Sequence, residues 1–191
     1  MRASKWSGRR SVRFAARDVG GVIHEIRLYG DPVLRAKSEP VEAVDDDLRN
    51  LIQDLMETMY DLDGIGLAAP QVGVPARVFV YDIRGPEVAA GALINPEIVE
   101  RGGTAREEEG CLSLPGLADV VERDERIVVR GLDLEGAPVE FAAHGLLSRC
   151  IQHEIDHLDG VLFIDRLSPL KRRLLLRKWQ KRDAEEPAGR G

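Results

Sequence analysis

The 191-residue chain is poor in cysteine, histidine and aromatic residues, and these scarcities exclude several classes of protein. Two cysteines cannot form the disulfide network of a small secreted domain, so we predict a reducing compartment, namely the cytoplasm. No apolar run approaches the roughly 18 residues of a transmembrane helix, and no signal-peptide core is present, so we expect no membrane partner. The net charge of −6 argues against a domain whose main body binds nucleic acid.

The first 17 residues lack any acidic side chain and contain six basic ones. This composition fits an organellar transit peptide, a disordered bacterial extension or translation from an upstream start codon. Clear amphipathic spacing is missing, which favours the disordered extension. We assign residues 1–22 to a basic, disordered extension, residues 23–168 to one domain, and residues 169–191 to a basic helix with a disordered tail. An organellar location is the alternative to the cytoplasm.

Histidine occurs only four times, yet two histidines lie four residues apart in residues 152–157, Gln-His-Glu-Ile-Asp-His. On a helix this spacing puts His153 and His157 on one face, one turn apart, where both can bind one metal ion. Glu154 then lies where a carboxylate can reach a metal-bound water. The alternative is a surface helix that carries two histidines by chance. The motif predicts a metal site, and imidazole ligands alone do not choose between zinc and iron.

A third protein ligand is needed, and the usual protease patterns do not supply it. A third histidine six residues after His157 is absent, because that position is Phe163, and no acidic residue lies about twenty residues downstream. Cys111, which follows a glycine, is the better candidate because a thiolate binds metals strongly. Its alternative role is that of a small buried apolar residue.

The hydrophobic pattern predicts an α+β fold. An apolar stripe after Asp45 predicts a first helix, with Asp45 to Asp47 at its N-terminus and Gly64 as a stop. Short strands follow in the middle of the chain, and residues 145–158 form an apolar helix that must be buried. We expect curved, mainly antiparallel sheets around this central helix, which carries the metal motif, with further helices at the N- and C-terminal ends. Residues 26–35 are expected to form a strand and turn, and residues 64–71 a loop.

Residues 64–71 (GIGLAAPQ), 109–113 (EGCLS) and 152–160 (QHEIDHLDG) resemble, in order and separation, the three signature motifs of the peptide deformylase family. The resemblance extends over about residues 26–170. It implies an enzyme that removes the formyl group from the formyl-methionine of newly made polypeptides, with residues 23–168 as the catalytic domain. It also implies Fe(II) held by Cys111, His153 and His157, whereas ligand chemistry alone equally allows zinc, nickel or cobalt.

Roles for individual residues follow from the same resemblance. Glu154 is expected to act as general base and acid, and Gln71 and the backbone N–H of Leu112 to stabilise the oxyanion. The expected substrate-binding residues are Ile65, Gly66, Gly110, Leu146 and Cys150. Glu107 and Arg149 depart from the pattern, since apolar residues are more common at these positions of the pocket rim. We expect Asp156 or a backbone carbonyl to support the distal nitrogens of the histidines.

The candidate ligands are compatible with two other functions, and the C-terminal helix suggests one macromolecular partner. The same ligands suit another metal-dependent amidohydrolase, and a closed, non-catalytic site is possible if Cys150 or His144 supplies a fourth ligand. Seven of the twelve residues from 171 to 182 are basic and none is acidic. We hypothesise that this helix binds the ribosome near the exit tunnel, with Arg173 and Arg177 on one face. The competing hypothesis is a helix that packs Leu170, Leu174 and Trp179 on the body and binds nothing else.

Overall fold

A computed structural model describes residues 21–86 and 88–185. Within these ranges the chain forms three α-helices and seven β-strands. The helices are α1 (Asp46–Asp61), α2 (Gly145–Leu158) and α3 (Pro169–Glu185). The strands are β1 (Gly66–Ala68), β2 (Val78–Tyr81), β3 (Gly91–Gly102), β4 (Ala105–Gly110), β5 (Ala118–Arg123), β6 (Arg126–Leu132) and β7 (Pro138–His144). Short 3-10 helices occupy Pro32–Arg35, Ala69–Val72 and Phe163–Arg166. None of the helices in the described ranges is long and apolar enough to span a membrane.

All strand pairs are antiparallel. Five strands form one sheet in the order β1-β2-β3-β6-β7, and β4 pairs with β5 in a separate two-stranded sheet. The long strand β3 changes register against β6 between Ile94 and Glu97 and again between Ile98 and Glu100. Such irregularities bend and twist a strand, which lets the larger sheet curve around a helix. The predicted α+β class with antiparallel sheets is confirmed.

Helix α1 forms where the apolar stripe predicts it. The Asp45 carboxylate accepts a hydrogen bond from the Leu48 N–H at 2.9 Å, which caps the first turn. Its buried face packs against β1 and β2, and the buried residues are Leu48, Ile52, Leu55, Met56, Thr58 and Met59. The methionines therefore belong to the core, as predicted.

Helix α2 is the central element and its predicted bounds are those observed. Every residue from position 147 to position 158 is buried, so the helix has no solvent face except at its start. Apolar side chains such as Leu147, Ile151 and Leu158 pack against the larger sheet. The polar side chains of the same helix must therefore find partners inside the protein.

Three local predictions were wrong. Residues 26–29 form no strand, although Arg27 and Tyr29 donate backbone hydrogen bonds to the carbonyls of Gln71 and Ser113. The predicted loop at residues 64–71 contains strand β1 and the start of a 3-10 helix. Strand β4 was missed, because its sequence Ala-Arg-Glu-Glu-Glu-Gly has no alternation of apolar residues and becomes a strand only by pairing with β5.

Helix α3 packs on the body through Trp179, as expected, but with Leu175 in place of Leu170 and Leu174. Leu175 and Trp179 are buried, and the Trp179 ring makes an edge contact with Tyr29 at a centroid distance of 6.3 Å. Leu170 and Leu174 are exposed, so their expected packing role was wrong. Most of the predicted terminal extension and tail, at positions 1–20 and 186–191, falls outside the described residues. Residues 21 and 22 are described, and the Val22 N–H donates a hydrogen bond to the Asp54 carboxylate at 2.8 Å, so the extension ends before the predicted position 22.

Candidate metal and catalytic centre

Three candidate ligand atoms converge at one point beside the end of β4 and the C-terminal half of α2. The Cys111 Sγ lies 3.2 Å from the His157 Nε2, which in turn lies 3.2 Å from the His153 Nε2. All three ligand atoms lie within 4.8 Å of one another. The spacing of four residues on α2 produces the histidine pair, and the turn after β4 delivers the cysteine.

These atoms fit a divalent cation. Metal bonds of about 2.0–2.3 Å in a tetrahedral arrangement place neighbouring ligand atoms roughly 3.3–3.7 Å apart, close to the contacts between these side chains. Two imidazole nitrogens and a thiolate also form a ligand set that suits zinc or iron. Within the described residues, no fourth His, Cys, Asp or Glu joins the group. Three protein ligands match a catalytic site, which keeps one position open.

Glu109 orients the first histidine. Its Oε1 atom lies 2.7 Å from the His153 Nδ1, so the ring presents Nε2 to Cys111 and His157. The expectation that Asp156 supports the distal nitrogens was wrong, because Asp156 points away. Its carboxylate instead accepts hydrogen bonds from Arg123 at 2.5 Å and from Arg166 at 2.5 Å. The buried Nδ1 of His157 has no hydrogen-bond partner among the described residues.

The charges around the histidines favour a cation. Burial alone would raise the pKa of Glu109, but hydrogen bonds with His153 and Arg123 hold it well below its usual range. Burial also opposes protonation of His153, yet the contacts with Cys111 and Glu109 raise its pKa well above the usual range. Burial lowers the pKa of His157 well below its usual range, which favours the neutral imidazole that binds metals.

Glu154 is a buried carboxylate without a structural partner. Its Oε2 atom makes no hydrogen bond with any described residue, and burial raises its pKa to about 7. A carboxylate in this range can both take up and release a proton near neutral pH. Gly66 makes room for it, since a Cβ atom there would lie 2.4 Å from the Glu154 Oε1 and 2.8 Å from the Cys150 Sγ.

A cavity of about 470 Å³ opens onto these groups. It is lined by most of the residues that the sequence singled out: Ile65, Gly66, Gln71, Gly110, Cys111, Leu112, Leu146, Cys150, His153 and Glu154. His157 lies behind the lining, almost fully buried. A cavity of this size can take an extended peptide end with one side chain inserted.

The sequence model of the family described as "Polypeptide deformylase" matches residues 23–173. The chain belongs to this family. It is 56% identical over 164 residues to the peptide deformylase of Alkalilimnicola ehrlichii, covering 83% of this chain and 90% of that protein. It is 51% identical over 160 residues to that of Thermodesulfovibrio yellowstonii, covering 83% and 97% of the two chains.

Solved structures of deformylases share the fold. The Legionella pneumophila enzyme has a TM-score of 0.82 and 46% identity, covering 88% of this chain and all of that one (100%). The Ehrlichia chaffeensis enzyme in complex with actinonin has a TM-score of 0.78 and 42% identity, covering 84% and 98% of the two chains. This deformylase is a hydrolase of a metal-dependent family, and it acts on formylated nascent peptides.

In this deformylase the predicted oxyanion residues lie beside the group formed by Cys111, His153 and His157. The Gln71 Oε1 accepts a hydrogen bond from the Ala68 N–H at 2.9 Å, which fixes the orientation of the amide. Its Nε2 therefore faces Ser113 Oγ at 3.2 Å and Cys111 Sγ at 3.7 Å. Leu112 directly follows the cysteine and also lines the cavity.

Glu107 and Arg149, the two positions of the pocket rim at which apolar residues were expected, pair with each other. The Arg149 Nε lies 3.4 Å from the Glu107 Oε2, and Arg149 also donates to the buried Glu109 at 2.9 Å. Sequence reasoning missed the support that Glu109 and Arg123 give to His153. Glu109 stood inside a recognised motif, which was a usable signal, whereas Arg123 occupies a short strand of alternating exposure that resembles a surface edge.

Proposed function

We propose that Cys111, His153 and His157 bind the catalytic metal of this deformylase and that Glu154 transfers the protons. The observation that carries this proposal is the convergence of three ligand atoms within 4.8 Å beside a buried, unpartnered carboxylate. When bound, a divalent metal supplies Lewis acidity and a water that ionises near neutral pH.

The side chains of the pocket account for the remaining steps. Glu154 takes a proton from the attacking water and returns one to the leaving amine, and its pKa of about 7 suits both transfers. The Gln71 amide and the Leu112 N–H donate hydrogen bonds to the oxygen that becomes anionic. These hydrogen bonds stabilise the transition state more than the bound substrate, because the oxygen becomes anionic only as the reaction proceeds and the substrate carbonyl is neutral.

We propose that the cavity binds the methionine side chain and the peptide backbone. Ile65, Leu146 and Cys150 supply apolar surface, and the Cys150 thiol is fixed by a 3.3 Å contact with the Ile65 carbonyl oxygen. Gly66 and Gly110 let the substrate backbone and the formyl group approach closely. A formyl carbon carries only hydrogen, so a narrow site accepts it and excludes bulkier acyl groups.

Glu154→Gln tests the proposal. Glutamine is nearly isosteric and cannot take up the proton, so kcat on formyl-Met-Ala-Ser should fall by about 10²–10⁴-fold while zinc content stays stoichiometric. Glu97→Gln, an exposed carboxylate on β3, is the matched control and should retain full activity. A Glu154→Gln enzyme that retains the wild-type rate would remove Glu154 from the mechanism. Activity on acetyl-Met-Ala-Ser equal to that on the formyl peptide would favour a broader amidohydrolase.

We propose Fe(II) as the native metal, with zinc, nickel and cobalt as compatible substitutes. The mixed thiolate and imidazole ligands support this range. Anaerobically purified protein should contain iron, and its activity should decay in air much faster than that of the nickel or cobalt forms, because oxidation involves both the iron and its thiolate ligand. Equal decay of all three forms would count against iron.

We propose that α3 binds the ribosome near the exit tunnel, in the cytoplasm. Lys171 and Arg172 pair with acidic residues of the body, and Arg182 donates to the Pro115 carbonyl at 2.7 Å. Arg173 and Arg177 make no ion pair with other described residues and lie along one groove, which supports a role in binding phosphates. We propose that residues 23–168 form the catalytic domain and that residues 169–191 form a basic C-terminal segment.

The ribosome test needs the full chain, because deleting α3 would expose Leu175 and Trp179. The double variant Arg173→Ala/Arg177→Ala should weaken co-sedimentation with ribosomes and reduce its dependence on salt, without changing turnover of a short formyl peptide. Arg84→Ala/Arg130→Ala removes two exposed arginines elsewhere and should leave co-sedimentation unchanged. Equal co-sedimentation of both double variants would contradict the role of α3.

A further inference from the structure

We infer that Arg149 is a positioning residue for the metal centre: it holds the carboxylate of Glu109, which orients the ligand His153. This inference rests on the proposed metal ligands. Arg149 lies on α2, one turn before His153, and its side chain is almost fully buried. It is one of the two positions at which an apolar residue was expected from the sequence. A buried guanidinium needs an anionic partner, and the structure provides one at 2.9 Å.

Both oxygens of Glu109 are fully used. Oε1 meets the His153 Nδ1 at 2.7 Å and the Arg123 Nη2 at 2.5 Å. Oε2 accepts from the Arg123 Nε at 3.1 Å and from the Arg149 Nη1 at 2.9 Å. A carboxylate offers about four lone-pair directions, and here each has one donor. Fixing Oε2 from two sides sets the direction in which Oε1 meets the imidazole.

Arg149 is itself held by acceptors from both strands of the small sheet. Its Nη1 also donates to the Val121 carbonyl at 3.1 Å, and its Nη2 to the Ala105 carbonyl at 3.2 Å. The guanidinium therefore joins α2 to β4 and β5, the strands that carry Glu109 and Arg123. Glu107 contributes little to this grip, because its carboxylate is more than half exposed and lies 3.4 Å from Nε.

The same side chain also lines the cavity, beside Leu146 and Cys150. A residue of the pocket wall alone would act on substrate affinity. A residue that acts through Glu109 and His153 would instead act on metal retention and on turnover. Loss of a contact in the pocket wall would raise KM and leave kcat unchanged, whereas loss of a positioning contact would lower kcat and leave KM nearly unchanged. The inference predicts the second result.

Arg149→Met tests this role, because methionine keeps much of the aliphatic stem and removes the guanidinium. Zinc release from the holoenzyme to a chromogenic chelator should become about tenfold faster, because Arg149 holds Glu109, the hydrogen-bond partner of His153, and loss of such supporting residues weakens metal binding by about 10–100-fold. In the zinc-saturated enzyme kcat should fall several-fold while KM for formyl-Met-Ala-Ser changes less than about twofold. The absorption bands of the Co(II)-substituted enzyme should shift, which a change in the pocket wall alone would not cause.

The Glu109→Gln background separates action through Glu109 from a general loss of structure. In that background Arg149→Met should change zinc release by less than about twofold, since the two residues act through one contact. Arg149→Lys, which keeps the charge, is the second variant and should show a smaller effect than methionine. Glu107→Gln and Arg130→Met are controls and should release zinc at the wild-type rate.

The inference is overturned if Arg149→Met and Arg149→Lys both release zinc at the wild-type rate. It is equally overturned if Arg149→Met raises KM with kcat unchanged, or has its full effect in the Glu109→Gln background. His153→Ala distinguishes these failures from a failure of the proposed ligands. If that variant retains zinc like the wild type, the ligand set itself is wrong.

Discussion

At the position of Gly66 the protein has no space for even one methyl group. A Cβ atom there would lie 2.4 Å from the Glu154 Oε1 and 2.8 Å from the Cys150 Sγ, both of which belong to a buried helix. Both atoms end side chains of α2, so a methyl group at this position would require Glu154 or Cys150 to move. The glycine therefore determines where the Glu154 carboxylate, the proposed general base, can lie.

Gly66→Ala should lower kcat/KM by more than about tenfold, because displacing Glu154 by an ångström misplaces the proton transfer. The measurement is steady-state deformylation of formyl-Met-Ala-Ser, together with thermal unfolding of the zinc form. Gly85→Ala is the matched control, since the nearest atom to a new Cβ there is the Ile83 Cδ1 at 3.6 Å. Activity of Gly66→Ala within twofold of the wild type would contradict the steric argument.

Cys111→Ser should cost the protein most of its metal during purification, because a serine hydroxyl is a poor ligand at neutral pH. Metal content measured by mass spectrometry checks this. Cys150→Ser is the control for loss of a thiol, since Cys150 lies outside the three-ligand group, and it should retain stoichiometric metal. Full occupancy in Cys111→Ser would remove Cys111 from the ligand set.

The grouping of Cys111, His153 and His157 was predictable from the sequence, whereas the hydrogen-bond partners of the two histidines were not. Helical spacing places His153 and His157 together in any protein where this stretch is a buried helix. The partner of the His153 Nδ1 depends on which strand crosses that helix, and β4 brings Glu109 there from 44 positions away. Asp156, three residues after His153, looked suitable by spacing but points toward Arg123 and Arg166.

At the scale of elements, the same contrast separates α2 from β4. Helix α2 was predicted with its observed bounds because its apolar residues cover most of its surface, which only burial explains. Strand β4 has a single buried residue, Glu109, and three glutamates in succession. Its local sequence disfavours a strand, and only the pairing with β5 and the arginines beneath it make the conformation stable.

The Trp179 ring is expected to hold α3 in its position on the body. Trp179→Ala should destabilise the protein by about 3 kcal/mol, because it removes a buried aromatic side chain between α3 and the segment around Tyr29. Leu174→Ala on the exposed face should cost less than about 1 kcal/mol. Urea unfolding of the zinc-bound variants measures the loss of unfolding free energy in each case. Equal losses for Trp179→Ala and Leu174→Ala would contradict the packing of α3 through Trp179.

For the whole molecule, Asp165 connects distant parts of the chain. Its carboxylate binds Arg35, which is 130 positions away, and lies 3.1 Å from Arg172 at the start of α3. Burial alone would raise the pKa of Asp165, but the hydrogen bonds from Arg35 and from the Leu162 N–H, together with the charges of Arg35 and Arg172, outweigh burial and lower the pKa. A carboxylate with a lowered pKa stabilises the folded state above its unfolded pKa of about 3.9, and this stabilisation disappears as the pH falls through the folded value.

Asp165→Asn should therefore be less stable than the wild type at neutral pH, and the gap should narrow as the pH falls below about 4. Urea unfolding at a series of pH values measures the gap. Glu97→Gln, whose ion pair with Arg130 is more than half exposed, should show a much smaller gap throughout. A gap for Asp165→Asn that does not depend on pH would exclude an ionic origin.

Because Trp179 packs against Tyr29, tryptophan fluorescence can report on the position of α3. The chain has two tryptophans, and Trp6 lies outside the described residues. In a Trp6→Phe variant all indole emission would come from α3, and a buried ring emits at shorter wavelength than one in water. If ribosomes bind the outer face of α3, the emission wavelength of Trp179 should stay short. If ribosome binding detaches the helix from the body, the emission should shift to longer wavelength. The difference between the spectrum of the mixture and that of ribosomes alone would thus distinguish docking of a fixed helix from capture of a released one.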